Sequence, residues 1–142
     1  MTTSAQAIDE SAAIFKAAVD SLFPAFEVRW TGKESQTPPS TTNSWFRWTM
    51  QHSDARQASL SCEHGKRRWR RNGLIMVQCF GLLDKGGMTL AQRMAESARD
   101  AYQGSATPSG VWFRNATTQE IGIDSAWYQV NAIIQFTYDD VR

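Results

Sequence analysis

The side chains best suited to bind a metal ion are two cysteines and two histidines. Cys62 and His64 are close together, whereas His52 and Cys79 lie ten or more residues away from them. Four ligands could hold one zinc ion, but zinc sites carry closely spaced pairs such as C-x-x-C or H-x-x-x-H, and neither pair occurs. Cys79 also falls in an apolar run, where a buried thiol is the ordinary interpretation. The spacing therefore predicts no metal site.

Glycines between an apolar run and a helix pattern could form a phosphate-binding loop. Gly81, Gly86 and Gly87 occupy this position. A P-loop requires Lys and then Ser or Thr directly after its last glycine, whereas here Met88 follows Gly87 and Lys85 precedes Gly86. We therefore interpret the glycines as forming a tight turn ahead of a helix, and we expect no cofactor.

Residues for nucleophilic or acid–base catalysis occur without the spacing that this chemistry uses. The sequence has no G-x-S-x-G, and neither histidine belongs to a catalytic signature. Asp84 or the adjacent Asp139 and Asp140 could pair with another carboxylate in principle, but adjacent acids of this kind are usually solvated. The sequence indicates no catalytic residue, and we expect a protein that is not an enzyme.

One segment combines five cations with an aromatic ring, and we call it the basic segment: Lys66, Arg67, Arg68, Trp69, Arg70 and Arg71. Cations bind nucleic-acid phosphates and tryptophan stacks on bases, so the segment could face DNA or an acidic partner surface. A solvated loop whose charges aid solubility accounts for the same composition. A single cluster also lacks the wide basic face of a dedicated nucleic-acid binder. Both interpretations stay open at this point.

The composition indicates a folded chain with little overall charge. The 142 residues are 42% hydrophobic and 11% aromatic, and the formal net charge is +1. These values are typical of a globular domain and unlike those of a disordered chain. Because the basic segment holds five positive charges, the remainder of the chain sums to −4. A general polycation that binds nucleic acid or membranes is excluded.

The sequence also bears on the cellular compartment. No apolar stretch reaches the ~20 residues that cross a bilayer. The first nine residues have neither the basic head nor the apolar run of a signal peptide. Two cysteines are too few for a disulfide framework. We expect a soluble protein made in a reducing cytoplasm.

The N-terminal segment predicts an amphipathic helix over about residues 4–22. Thr3 and Gln6 can form a capping box at its start, and Pro24 ends the pattern. Apolar residues recur at steps of four and three along one side: Ile8, Ala12, Phe15, Val19 and Leu22.

Strand patterns follow this helix. Residues 26–30 predict a short strand, and the polar, proline-containing residues 31–44 predict a long exposed loop. Trp45 to His52 alternate as a strand, with a turn at residues 54–56 and a return strand at 58–62.

A basic loop is then expected at residues 64–72, ahead of a central strand. The continuous apolar run from Leu74 to Leu83 predicts a strand that is buried on both faces. A second helix is expected to begin with a capping box of Thr89 and Gln92 and to stop at Gly104.

The end of the chain predicts further strands. Residues 111–115 and 119–123 have strand character, and residues 126–138 show the clearest period of two in the sequence. We find no internal repeat and no domain boundary. These elements predict an α+β fold in one domain, residues 1–142, with a single sheet of about five mainly antiparallel strands and two helices packed on one face.

This order of features resembles the tail terminator proteins of lambda-like long-tailed bacteriophages and prophages. Besides the amphipathic N-terminal helix, the resemblance is carried by four stretches: RNGLIMVQCF at 71–80, the glycine turn and helix that end in YQG at 102–104, VWFRN at 111–115, and WYQVN through FTYD at 127–139. It covers most of the chain from residue 70 onward and the order of elements throughout. Residues 31–44 and the basic segment do not align with the family.

The resemblance implies a structural virion protein at the head–tail junction, assembled in the host cytoplasm. Such proteins form a ring, normally a hexamer, that caps the tail tube, ends its polymerisation and provides the docking surface for the head-completion or connector protein. Implied partners are further copies of this chain, the major tail tube protein, that connector, and DNA passing through the lumen without sequence-specific binding; no membrane is implied. The basic segment would then face the DNA channel or a partner.

Other interpretations of the sequence lead to different functions. The chain could be another head–tail connector or minor tail protein, or a small nucleic-acid-binding module that uses the basic segment. An enzyme without a visible motif is a further alternative.

Overall fold

A computed structural model describes residues 2–32, 43–60, 63 and 65–141 of the chain. The elements, in chain order, are helix α1 (Ser4–Leu22), strands β1 (Glu27–Trp30), β2 (Trp45–Gln57) and β3 (Arg68–Leu82), a 3-10 turn (Leu83–Lys85), helix α2 (Gly87–Tyr102), and strands β4 (Trp112–Asp124) and β5 (Trp127–Val141).

The five strands form one sheet in the order β1-β2-β3-β5-β4. Strand β1 pairs with β2 in parallel, and all other neighbours are antiparallel. Phe15 of α1 packs edge-on against Phe46 of β2, and α2 packs on β3 and β5 from the same side. The expected α+β fold, with one sheet and two helices on one face, is confirmed.

Helix α1 forms for the reasons that its sequence suggests. The Thr3 side chain accepts a hydrogen bond from the Gln6 backbone, and the Gln6 side chain accepts one from the Thr3 backbone, so the capping box is confirmed. Phe15 and Val19 of the apolar stripe are buried, whereas Leu22 at the end is 58% exposed.

Helix α2 begins earlier than the sequence pattern predicts, so the expected capping box at Thr89 is wrong. Its N-cap is Gly86 with φ of +114°, a conformation that favours glycine. A Cβ at Gly81 of β3 would lie 2.7 Å from the backbone nitrogen of Ala91. The glycines therefore allow the turn and the close approach of α2 to the sheet.

The hairpin of β2 and β3 is longer than predicted, which corrects two expectations. Residues 54–56 are not a turn, because they pair with 70–72 after a bulge between His52 and Asp54. The expected basic loop at 64–72 is wrong from Arg68 onward, where β3 begins. The sequence hides this extension because residues 53–57 of β2 are mostly polar and are exposed on both sides of the strand, so no apolar alternation marks it. Of the return strand expected at 58–62, residues 58–60 do not form a strand, and Cys62 lies outside the described residues. Residues 33–42 of the loop predicted at 31–44 also lie outside the described residues.

The remaining strands differ from prediction mainly in burial and length. Strand β3 is buried on both faces only near its end, since Leu74 is 40% exposed while Ile75 is buried. Residues 111–123 form one strand with two bulges instead of two strands. The period-two strand at 126–138 is confirmed and extends to Val141.

A series of hydrogen bonds inside the core joins both helices to the sheet. Trp48 of β2 donates from Nε1 to the Tyr102 hydroxyl of α2 at 2.8 Å. Tyr102 donates in turn to the carbonyl oxygen of Ser11 in α1 at 2.7 Å. All three residues are buried, and burial raises the pKa of Tyr102. The tyrosine is therefore a neutral bridge between three elements.

Candidate interaction surfaces

The sheet has one face covered by α1 and α2 and an opposite face that we call the open face. Because side chains alternate along a strand and paired residues share a side, the register assigns the residues of each face. The pairs Arg70 with Asp139 and Met76 with Ile133 lie on the open face. Neighbouring positions, such as Ile75 and Ile134, lie under the helices.

The centre of the open face is apolar. Leu74 and Met76 are two residues apart on β3, and Met76 pairs with Ile133 of β5. Leu74 is 40% exposed, and the other two are half-buried by their neighbours in the sheet. These side chains face away from the core that α1 and α2 cover.

Amide side chains surround this centre. Gln78 of β3 pairs with Asn131 of β5, and Asn131 pairs with Gln119 of β4, so three amides form a row across the sheet. Asn131 is buried and accepts a hydrogen bond from the buried Gln129 at 2.9 Å. The row continues into β2, where Arg47 donates to Gln78 at 3.4 Å. These amides therefore border the apolar centre along one side.

Arginine is the only basic residue of the open face among the described strand residues. Six arginines and four acids share this face, for a net charge of +2. The arginines are Arg29, Arg47, Arg56, Arg68, Arg70 and Arg114; the acids are Glu27, Asp54, Asp124 and Asp139.

The basic segment does not form one basic surface, because β3 divides it between the two faces. Arg68 and Arg70 lie on the open face, and both approach Asp139 of β5. Arg70 donates from Nε at 3.1 Å and from a terminal nitrogen at 3.5 Å to the two carboxylate oxygens. The hydrogen bond to Asp139 and its charge raise the pKa of Arg70. Lys66 pairs with Glu63 at 3.2 Å before the strand begins.

On the helix side, the other half of the segment meets the start of α1. Arg71 donates to the Ser4 hydroxyl at 3.2 Å, and Tyr138 donates to the same hydroxyl at 3.1 Å. His52 Nε2 lies 2.8 Å from the Tyr138 hydroxyl. Burial and the nearby charge of Arg71 lower the pKa of His52. Trp69 is half-buried on the same strand. The arrangement positions α1 on the sheet and leaves Arg71 little freedom to bind a partner.

A shallow groove of about 160 Å³ lies on the open face beside the apolar centre. Arg114 lines it and donates to the Thr137 hydroxyl at 3.4 Å. Arg70 lies over the ring of Trp112, 5.8 Å from its centroid, next to this groove. Trp112 is 37% exposed. The groove and its edge therefore add two arginines and an accessible aromatic ring to the polar residues around the apolar centre.

Aromatic side chains fill the other end of the open face. Trp45 stacks on Phe80 with ring centroids 4.2 Å apart, and Trp127 meets both rings edge-on. The guanidinium groups of Arg29 and Arg47 lie 5.8 and 5.2 Å from the Trp45 ring centroid. All three aromatic rings are buried, so this cluster stabilises the open face.

The residues considered for metal binding and catalysis do not converge. Cys79 is buried, and burial raises the pKa of its thiol. Cys62 and His64 lie outside the described residues. Over the part of the chain that the structure describes, no group of three or more His, Cys, Asp or Glu residues could hold a metal ion. Asp139 and Asp140 point to opposite faces of β5 and cannot act as a pair.

Sequence reasoning missed the open face as a surface, although its signal was present. The same alternation that predicts β5 places Gln129, Asn131, Gln135 and Thr137 together on one side. They become a candidate interface because no element among the described residues packs over them. No described helix is long and apolar enough to span a membrane.

Comparison with known proteins identifies the fold but not an activity. No protein-family profile and no curated protein matches the sequence. A solved structure known only by a sequence identifier is similar to this chain over 95% of its length and 96% of the other chain, with a TM-score of 0.64. The sequences are 16% identical, so the similarity establishes a shared fold alone.

Proposed function

We propose that this protein is a tail terminator of a long-tailed bacteriophage or prophage, a structural protein and not an enzyme. In this role a ring of copies, normally six, caps the tail tube, ends its polymerisation and offers a docking surface to the head-completion protein. The protein would be assembled in the host cytoplasm and remain in the virion at the head–tail junction, with DNA passing through the ring.

The open face carries this proposal. An apolar centre, surrounded by amides and arginines and not covered by any described element, has the composition of a surface that binds protein. A ring subunit needs such a surface in order to meet its neighbour. The proposed family comes from the sequence resemblance, which is carried by residues 71–80, 102–104, 111–115 and 127–139. This family implies an α+β sheet domain.

The structure favours this proposal over a dedicated nucleic-acid-binding module. Arg68 and Arg70 share Asp139, and Arg71 is held by Ser4, so few cations of the basic segment are free for phosphates. One chain would therefore bind DNA weakly, as expected for a protein that lets DNA pass.

Electron microscopy tests the proposal directly. The purified protein is mixed with tail tubes assembled in the absence of any terminator, and the tube ends are imaged. Rings at one end of each tube, and an arrest of tube growth, are expected. Tubes that keep growing with bare ends would contradict the proposal. Binding at the head junction without an arrest of growth would favour a connector or minor tail protein instead.

A further inference from the structure

We infer that the open face of one copy binds the outer surface of the helix layer, α1 and α2, of a second copy. This inference rests on the proposed function, because it assigns the contact through which neighbouring subunits of a ring would meet. It commits the open face to another copy of this chain as its occupant.

The composition of the open face is that of a protein interface. Interfaces are enriched in Met and Arg and depleted in Lys, and their cores are less charged than their rims. Here Leu74, Met76 and Ile133 form the centre, and the arginines Arg47 and Arg114 lie toward the outside. A nucleic acid would be attracted to the arginines, but it would leave the apolar centre without a partner. The surface therefore favours a protein.

Charge decides which protein surface fits. Two open faces would bring like net charges of +2 together, which disfavours a face-to-face dimer. The helix layer has the opposite sign: α1 carries Asp9, Glu10 and Asp20 against Lys16, a net −2. The charged residues of α2 balance one another. The two sides of one molecule are thus complementary to each other.

The outer surface of α1 also has room for a partner's side chains. Ala13 and Ala17 are exposed there, and Asp9 and Asp20 flank them. A groove of about 260 Å³ lies beside them, between α1 and Trp30 of β1. Small residues next to a groove allow a sheet face to approach closely. Asp20 pairs with Lys16 at 3.0 Å, and because this pair is exposed, an arginine of the second copy can share the carboxylate.

A contact between opposite sides of the same molecule has a consequence for assembly. Each bound copy still presents one free open face and one free helix layer, so association continues until the chain of copies closes into a ring or extends as a filament. A symmetric dimer is not expected.

Charge reversal on each side, followed by mixing, tests the inference. The open-face variant is Arg47→Glu with Arg114→Glu, and the helix variant is Asp9→Arg with Asp20→Arg. Self-association is measured by sedimentation velocity from about 10 µM to about 1 mM, the range in which weak contacts populate. We expect each variant alone to associate at least ~10-fold more weakly than the natural sequence. An equimolar mixture should recover association, because each reversed surface then meets its reversed complement.

Matched controls separate this contact from charge in general. Lys66→Glu with Lys85→Glu changes the net charge by the same amount as the open-face variant, but neither residue belongs to a strand of the sheet or to α1 or α2, so this variant should associate normally. Circular dichroism melting checks that each variant is folded. If the open-face variant does not fold, Arg47→Gln with Arg114→Gln replaces it and should still weaken association.

Several results would overturn the inference. The natural sequence could stay monomeric throughout the concentration range, or the two variants could associate as strongly as the natural sequence. An equimolar mixture of the variants that does not recover association would also contradict the inference. A folded open-face variant that loses only DNA binding would assign the face to nucleic acid. The sedimentation experiment contains no tail tubes, so its failure would leave the proposed function untouched. The proposed function is tested separately, by imaging the ends of tail tubes.

Discussion

Arg70 and Asp139 face each other across β3 and β5, and two hydrogen bonds join the guanidinium to both carboxylate oxygens. Arg68 approaches the same carboxylate at 3.7 Å. One acid thus holds two cations of the basic segment on the open face. The segment therefore contributes to the structure of the sheet, beyond any contact it makes with a partner.

We predict that Arg70→Glu destabilises the fold although Arg70 lies on a polar surface. The new carboxylate would face Asp139 directly, and the cross-strand attraction would become repulsion. We expect a lower free energy of unfolding by urea, with a smaller loss at high salt because salt screens exposed charges. Lys66→Glu is the control, because it reverses an exposed ion pair with Glu63 that lies within the hairpin loop and joins no two strands, and it should lower stability less than Arg70→Glu does. Equal effects of the two variants would contradict the prediction.

We predict a large difference between the adjacent residues Ile133 and Ile134. Ile134 is fully buried under the helices, whereas Ile133 lies on the open face and is only half-buried. Ile134→Ala should cost about 2–5 kcal/mol because it leaves a cavity in the core. Ile133→Ala should cost about 1 kcal/mol or less in the monomer. Chemical denaturation of both variants measures the difference, and similar losses would mean that the two faces of β5 are misassigned.

Tyr102→Phe should destabilise the protein without creating a cavity. The substitution leaves the indole N–H of Trp48 and the carbonyl of Ser11 without their shared partner inside the core. Buried groups left without a hydrogen bond cost about 1–3 kcal/mol. In a double-mutant cycle, Tyr102→Phe should lower the free energy of unfolding less in the Trp48→Phe variant than in the natural sequence. Fully additive losses would argue against a shared hydrogen-bonded chain.

The environment of His52 predicts a pH dependence of stability. Burial and the charge of Arg71 lower its pKa in the folded protein, so the unfolded chain binds a proton more readily. The stabilising contribution is complete above the unfolded pKa of about 6.5 and is lost as pH falls through the folded value. Urea unfolding at a series of pH values should show this decline, and His52→Gln should reduce it. An unchanged decline in that variant would assign the effect to other groups.

The secondary-structure types and the fold class could be predicted from the amino-acid sequence alone. The capping box of Thr3 and Gln6 and the apolar stripe of α1 are local features, so they can be recognised without knowing the rest of the molecule. The period of two in β5 is local in the same way. An α+β sheet with helices on one side follows from these patterns, because each apolar stripe must be buried against another element.

The role of the polar residues in each strand depends on contacts between distant parts of the chain. The sequence of the basic segment does not reveal Asp139, which lies about seventy residues away and becomes its partner only when β3 and β5 pair. Likewise, the sequence hides the extension of β2, because residues 53–57 are mostly polar and exposed on both sides, and alternation there has no hydrophobic contrast. Leu74, Met76 and Ile133 read as ordinary core residues in the sequence. They become a candidate interface because both helices pack on the other side of the sheet, a choice made by long-range packing and not by local pattern.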